Sequence, residues 1–384
     1  MRVEEVTSEE DEMAFLQMPL IIYKQDPNYI RPLDADLKEI FDPKQNKLFS
    51  NGKCCRWLLM DGRSSIGRIA AFYHHDIAMS YEQPTGGIGF FECIDSERAA
   101  ELLFDTAREW LRSLGMEAMD GPVNFGSRER WWGLLVDGWH PPCYGANYNP
   151  PYYRHLFEHY GFSVYFKQFT FLRRLDVPLD SKLEILASRL KRNNKYIFRH
   201  VDKGELDKLP AYFSEVYNKA WVDHVGVYAL NEEDVRAMLL AMKPILDVKA
   251  LWFAFYEGVP IAFFIAIPDA NELLLKHCNG KLNFKALCCF FIKKKFRLGR
   301  NLLGMVFGVV PEHRNKGVDL GLIASAGETL LELGYRQLQM NWIGDFNPRM
   351  VRMCRKIGAE IYKMHHTYRY LFDRNKELQK HKKI

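Results

Sequence analysis

Long apolar runs are what this chain lacks most. No stretch approaches the ~20 consecutive apolar residues that span a bilayer, so no transmembrane helix is expected. The opening Met1-Arg-Val-Glu-Glu-Val6 is charged and has no apolar centre like that of a secretory signal. One-sided charge is also missing. The 53 basic and 48 acidic side chains leave a net +5, too small for a nucleic-acid surface but mildly favourable to an anionic ligand. The eight cysteines include no Cys-x-x-Cys pair. Adjacent histidines, His74-His75 and His365-His366, face opposite sides of a strand, so no metal site is expected. Cys93, Cys278, Cys288 and Cys289 sit in apolar runs and read as free thiols in a reducing compartment. The expectation is a cytoplasmic protein with neither a nucleic-acid nor a membrane partner.

What is present suits two domains. The length, 384 residues, exceeds the ~250–300 at which a single core stops growing. Hydrophobic residues at 48% supply two cores, and the high aromatic share, 14%, suits pocket walls as well as packing. Asp61-Gly62 between two apolar runs predicts a hairpin, and Glu257-Gly258 predicts another. Helical spacing from Ser96 to Leu114 stops at Gly115, and a helix from Leu320 to Leu333 stops at Gly334. Leu175-Asp-Val-Pro-Leu-Asp180 breaks the periodicity and predicts a boundary, with domains at 1–176 and 177–384.

The halves echo one another. Asn149-Pro-Pro-Tyr-Tyr with its stop at Gly161 matches Asn347-Pro-Arg-Met-Val with its stop at Gly358, about two hundred residues later. Trp57 to Gly62 matches Trp252 to Gly258. An internal duplication is expected.

One segment carries anion chemistry. In Gly308-Val-Val-Pro-Glu-His-Arg-Asn-Lys-Gly-Val-Asp-Leu-Gly321 an apolar strand enters a basic turn and a helix begins at once. The first turn of a helix has unpaired N–H groups and the positive end of its dipole, so an anion is stabilised there. Gly317 permits close approach, and Arg314 and Lys316 add charge. The competing reading is an ordinary strand-to-helix turn with surface charges.

The segment resembles the motif of the GNAT acetyltransferase superfamily: a strand, then Arg/Gln-x-x-Gly-x-Gly/Ala, then a helix. Arg314 and Gly317 match, and so does the order of elements through the second half. The first half looks like a degenerate copy, because Glu92-Cys-Ile-Asp95 precedes its helix with no Arg-x-x-Gly. The implied fold class is α/β (α+β), with two GNAT-like domains, each a mixed, mostly antiparallel sheet flanked by helices. The implied cosubstrate is acetyl-CoA or another acyl-CoA. Val309 and Val310 would pair with its pantetheine arm. The amides of Lys316, Gly317, Val318, Asp319 and Gly321, beside Arg314 and Asn315, would hold the pyrophosphate, and Asn347 would touch the arm near the thioester.

Two positions depart from the motif. Asp319 stands where a small residue is usual, and a carboxylate there competes for the same N–H groups. Cys354 stands where many members carry a tyrosine that protonates the leaving thiolate. It reads as a thiol donor or as a small buried hydrophobe, with Tyr362 and Tyr368 as further candidate donors. The resemblance implies direct transfer of an acyl group, other than aminoacyl, to a small-molecule or peptide amine. The alternative is a non-catalytic module that binds CoA, another small ligand or a protein. Three further segments carry open readings. The aromatic run from Arg128 to Tyr153 lines a substrate pocket or packs the domains together, and Trp221 to Leu230 is a candidate specificity loop. The basic run Lys293-Lys-Lys295, Arg297 and Arg300 is a solvated helix face or a guide for an anionic substrate.

Overall fold

The two predicted turns set the geometry of the sheet. Gly62 and Gly258 adopt positive φ, and Glu257 joins Gly258 there, which gives the second hairpin two consecutive left-handed residues. Turns of that hand match the twist of the flanking strands. The computed structural model describes residues 1–221 and 229–379.

The first half contributes β1 (Arg2–Glu5), β2 (Gly52–Asp61), β3 (Ser64–His74), β4 (Thr85–Cys93), β5 (Ala118–Gly121), β6 (Leu134–Asp137) and β7 (Ser163–Arg174). The second half contributes β8 (Tyr196–His200), β9 (Leu251–Tyr256), β10 (Val259–Pro268), β11 (Asn301–Val309), β12 (Gln337–Gly344) and β13 (Glu360–Leu371). Pairing is antiparallel except at β4–β5 and β11–β12. Each of these parallel pairs is joined through one long helix, Glu97–Ser113 in the first half and Val318–Glu332 in the second. Trp57 lies on β2 and Trp252 on β9, so the sequence echo falls on equivalent strands.

The sheet does not stop at the expected boundary. Its order is β1-β2-β3-β4-β5-β13-β7-β12-β11-β10-β9-β8, with β6 also on β13. The halves have exchanged strands: β7 pairs with β12, and β13 pairs with β5. The central sheets of the two halves, each mixed and mostly antiparallel as expected, join edge to edge into one continuous sheet. The pairing of β7 and β13 along most of their lengths joins them.

Local signals place the helices. Ser8 caps Glu9–Gln17 in a capping box with Asp11, and Ser96 caps Glu97–Ser113. Gly115, Gly161, Gly334 and Gly358 end their helices at positive φ. The Asn149 echo is partial. Asn347 caps its helix, whereas the Asn149 side chain binds the backbone of Leu135 through both its oxygen and its nitrogen. The basic run ends the helix Phe284–Lys295.

Candidate active site

β11 carries an irregularity at its middle. Its register against β10 pairs Ile265 with Val306 and Ala266 with Gly304, so Met305 is an inserted residue. Such a bulge bends a strand. Pairing with β12 stops at the same level, at Gly304 and Met340. The ladder between β12 and β7 also breaks between Met340 and Ile343. β11 and β12 therefore part like a wedge, and a cavity of about 650 Å³ fills the opening.

The cavity wall is mainly apolar. Met305 and Phe307 from β11, Met340 from β12, and Met350 and Met353 from the helix Pro348–Lys356 supply much of it. Methionine is flexible and polarizable, which suits a chain of variable shape. The motif helix contributes Ile323 and Leu331, and also Gly327. A Cβ on Gly327 would meet nothing within 4 Å. The helix Ser181–Lys191 lies along the motif helix, and Lys191 reaches Glu328 across their junction at 3.1 Å.

From the cavity β11 runs straight into the motif loop. Beyond the bulge, Val310 N–H donates to the Ile261 carbonyl at 2.9 Å, and the Val310 carbonyl accepts from His313 N–H at 3.0 Å. Both backbone groups of Val310 are thus engaged within the protein, which corrects the expectation that it pairs with a pantetheine arm. Of the last residues of β11, Val306 and Phe307 line the cleft. The Val309 carbonyl accepts from Arg314 Nε at 3.2 Å, and Arg314 also donates to the Ala220 carbonyl at 2.7 Å. Arg314 thus ties the loop to the helix Leu209–Trp221.

Asn315 and Gly317 take φ of 60° and 80°, and Lys316 between them is exposed. No side chain caps the helix at Gly317, and a Cβ there would meet nothing within 4 Å. The first intrahelical donor is Gly321 N–H, which reaches the Gly317 carbonyl at 3.0 Å. The first-turn amides of Val318, Asp319 and Leu320 precede it and have no acceptor in their own helix. Gly321 leaves the expected phosphate set for this reason. Its missing side chain makes room for Phe198, whose ring would lie 2.6 Å from a Cβ. No hydrogen bond to the Asp319 carboxylate is present among the described residues, and Asp319 is half-buried.

Cys354 lines the cavity, but its thiol is fully buried with Met340 Sδ at 4.0 Å. Burial pushes that thiol up to about 12. Asn347 borders the cavity and spends its side-chain oxygen on Met350 N–H at 3.1 Å. Tyr362 lies outside the lining. It sits on β13, beyond β7, and its ring stacks on His140 at 4.2 Å. Tyr368 donates to Glu158 within the first-half core. Neither tyrosine reaches the cleft.

The aromatic run packs the halves together rather than lining this cavity. Tyr144 N–H donates to Asp269, the Pro142 carbonyl accepts from Asn271, and Cys143 meets Asn341 at 3.2 Å. Trp221 does line the cavity, while residues 222–228 of the candidate specificity loop lie outside the described residues. The bulge at Met305, the wall on β12 and Gly327 were not singled out in the sequence. The one available signal was Gly304, a glycine interrupting an apolar strand just before the motif.

The first half has no equivalent loop. Ser96 fills the helix cap that the motif leaves to backbone, accepting from Ala99 N–H at 3.3 Å.

No protein-family model matches the chain. A protein named bacterial ceramide synthase, from Caulobacter vibrioides, is 26% identical over 365 residues, covering 92% of this chain and 93% of its own. A tandem GNAT protein from the clavulanic acid biosynthesis pathway superposes with a TM-score of 0.55 at 11% identity, over 98% of this chain and 100% of that one. A GCN5-related N-acetyltransferase from Sphaerobacter thermophilus superposes at 0.51 and 11% identity, over 96% of both. The chain has the fold of the tandem GNAT proteins.

Proposed function

We propose that the chain is an N-acyltransferase that moves a long acyl group from acyl-CoA to the amine of a long-chain amino alcohol. The observation that carries this reading is the apolar cavity of about 650 Å³ in the β11–β12 opening, lined by the strand that leads into the motif loop and by the helix that leaves it. Its size lies in the ~300–1,000 Å³ range of sites that enclose drug-sized ligands. The acetyl group expected from the sequence needs little of that space, whereas a fatty chain uses the methionine-rich wall. The name of the Caulobacter relative, ceramide synthase, points to the same amide product.

In this reading the first-turn amides from Val318 to Leu320, with Lys316, face the pyrophosphate. The amine nitrogen attacks the thioester carbonyl carbon. The C–N bond forms, the C–S bond breaks, the amine loses a proton, and the CoA thiolate takes one up. The protein's main contribution is to hold the amine and the thioester in line. The binding-module alternative is favoured by one feature: the buried thiol of Cys354 is a poor proton donor.

Titration calorimetry with palmitoyl-CoA and acetyl-CoA tests the binding step. Tighter binding of palmitoyl-CoA, weakened at least roughly tenfold by Gly317→Val, is expected, since a β-branched residue is strained at that φ. Thiol release with a sphingoid base, with the amide identified by mass spectrometry, tests turnover. Binding without thiol release would leave the binding module as the better reading.

A further inference from the structure

The chain between Lys276 and Arg300 holds eight lysines and arginines and no aspartate or glutamate. It includes the helix Phe284–Lys295. Ala286 and Phe290 on the inner side of this helix are buried, Ala286 in a small cluster with Leu275 and Cys278. The opposite side presents Phe284, Leu287 and Phe291 at helical spacing, with Ile292 beside them. Phe296 and Leu298 follow directly. Phe284 is 83% exposed, and Phe291 and Phe296 are each 64% exposed. Seven of the 21 exposed large apolar side chains among the described residues fall within Leu282–Leu298, including all three exposed phenylalanines. The helix is thus inverted: bulky apolar groups face out where charged ones are the rule.

The charges around this face are uncommitted to any acid. None of the eight basic side chains forms an ion pair among the described residues. Lys293 turns inward to the Glu272 carbonyl, and Lys294 reaches the Pro244 carbonyl. Lys285 and Lys295 stay exposed beside Phe284 and Phe291. No helix of the described residues is long and apolar enough to cross a membrane. A short helix with exposed phenylalanine and leucine amid lysine has the chemistry of one lying in the plane of a lipid surface. There its rings enter the acyl boundary and its long cations reach the headgroups.

We propose that the helix Phe284–Lys295 with its flanks is a docking surface for an anionic lipid bilayer. This departs from the expectation of no membrane partner, which rested on spanning segments alone. It stands independently of the acyl-transfer reading. A second copy of the chain would bring the same cations against themselves, so the charge favours an anionic occupant. Nucleic acid supplies anions but no apolar phase for seven exposed aliphatic and aromatic groups.

The test is sedimentation of the full chain with vesicles of phosphatidylcholine alone and of equimolar phosphatidylcholine and phosphatidylglycerol. Binding to the anionic vesicles, weakened by salt, is expected. Phe284→Glu with Phe291→Glu abolishes it. Lys285→Gln and Lys295→Gln each weaken it by roughly fivefold on anionic vesicles. All four side chains are exposed, and circular dichroism identical to the wild type shows that the variants fold. The proposal is overturned if the wild type ignores anionic vesicles or if the glutamate variants bind as well as the wild type. It is equally overturned if those variants abolish a concentration-dependent dimer, or a nucleic-acid complex, in place of vesicle binding.

Discussion

Gly327 sits mid-helix, where glycine costs about 1 kcal/mol relative to alanine. Its Cβ position opens on empty space in the cavity rather than on packed neighbours. The cost is therefore not explained by crowding, and an open cavity is what the glycine leaves. Gly327→Ala is expected to raise unfolding free energy by about 0.5–1 kcal/mol in urea titration, with acyl-CoA binding little changed. Gly327→Phe should cut palmitoyl-CoA binding at least roughly tenfold and spare acetyl-CoA; equal loss of both would place the acyl chain elsewhere. His366 shows a second single-residue effect. It is 7% exposed, and neither ring nitrogen has a hydrogen-bond partner among the described residues. Burial, with Lys167 and Arg154 nearby, lowers it from 6.5 to about 4. The unfolded chain therefore binds a proton that the folded chain refuses between those values. The stability that neutral His366 permits is complete above pH 6.5 and is lost as pH falls toward 4. His366→Leu removes this penalty. Relative to wild type it should gain on the order of 1–2 kcal/mol between pH 7.5 and pH 5, read from paired urea midpoints. A constant difference across that range would show that the imidazole takes up its proton in the fold as readily as in the unfolded chain.

The hairpins, the long helices and their glycine stops were legible because each rests on local chemistry. Gly62, Glu257-Gly258, Gly115 and Gly334 take positive φ wherever the rest of the chain goes. The motif loop was legible for the same reason: Gly317 and the uncapped first turn belong to one short segment. Short β5, β6 and β8 were missed, since four or five residues carry too little periodicity to count. The cavity was missed for a different reason. It exists because β11 bulges at Met305 while β12 and β7 lose register beyond Met340, so it depends on three strands distant in sequence. The proton-donor candidates failed similarly. Tyr362 is two strands from the opening by sheet order, and no spacing rule reports that order. The inverted helix was visible in part, as the Lys293–Arg300 run. The exposure of Phe284 and Phe291 became visible only when Ala286 and Phe290 were found to take the inner side.

Strand exchange decides how the whole molecule holds together. The sequence predicts a boundary at 176/177, yet β7 lies in the second half's part of the sheet and β13 closes the first half's. Neither half could complete its own sheet if cut there. A buried ion pair marks the second crossing. Arg369 on β13 grips Asp120 on β5, with Nε to Oδ1 at 2.6 Å and Nη2 to Oδ2 at 2.8 Å, and both residues are buried. The guanidinium also lies 3.8 Å from the centre of the Tyr165 ring on β7. Three strands from the two halves thus meet on one side chain. Removing one partner of such a pair leaves a buried charge unmatched and costs about 3–5 kcal/mol. Arg369→Met should therefore lower unfolding free energy by that amount. If the sheet is one cooperative unit, the loss appears as one earlier transition, with the near-ultraviolet signal of tryptophans in both halves moving together. Trp57 and Trp110 report the first half, and Trp252 the second. Two separated transitions, with Trp252 unshifted, would mean that the halves fold independently despite their shared sheet. A single shifted transition would extend the coupling from β5 through β13 and β7 to β12, the strand that forms one wall of the cavity. The first half would then act on the site without lining it, by fixing where β12 lies.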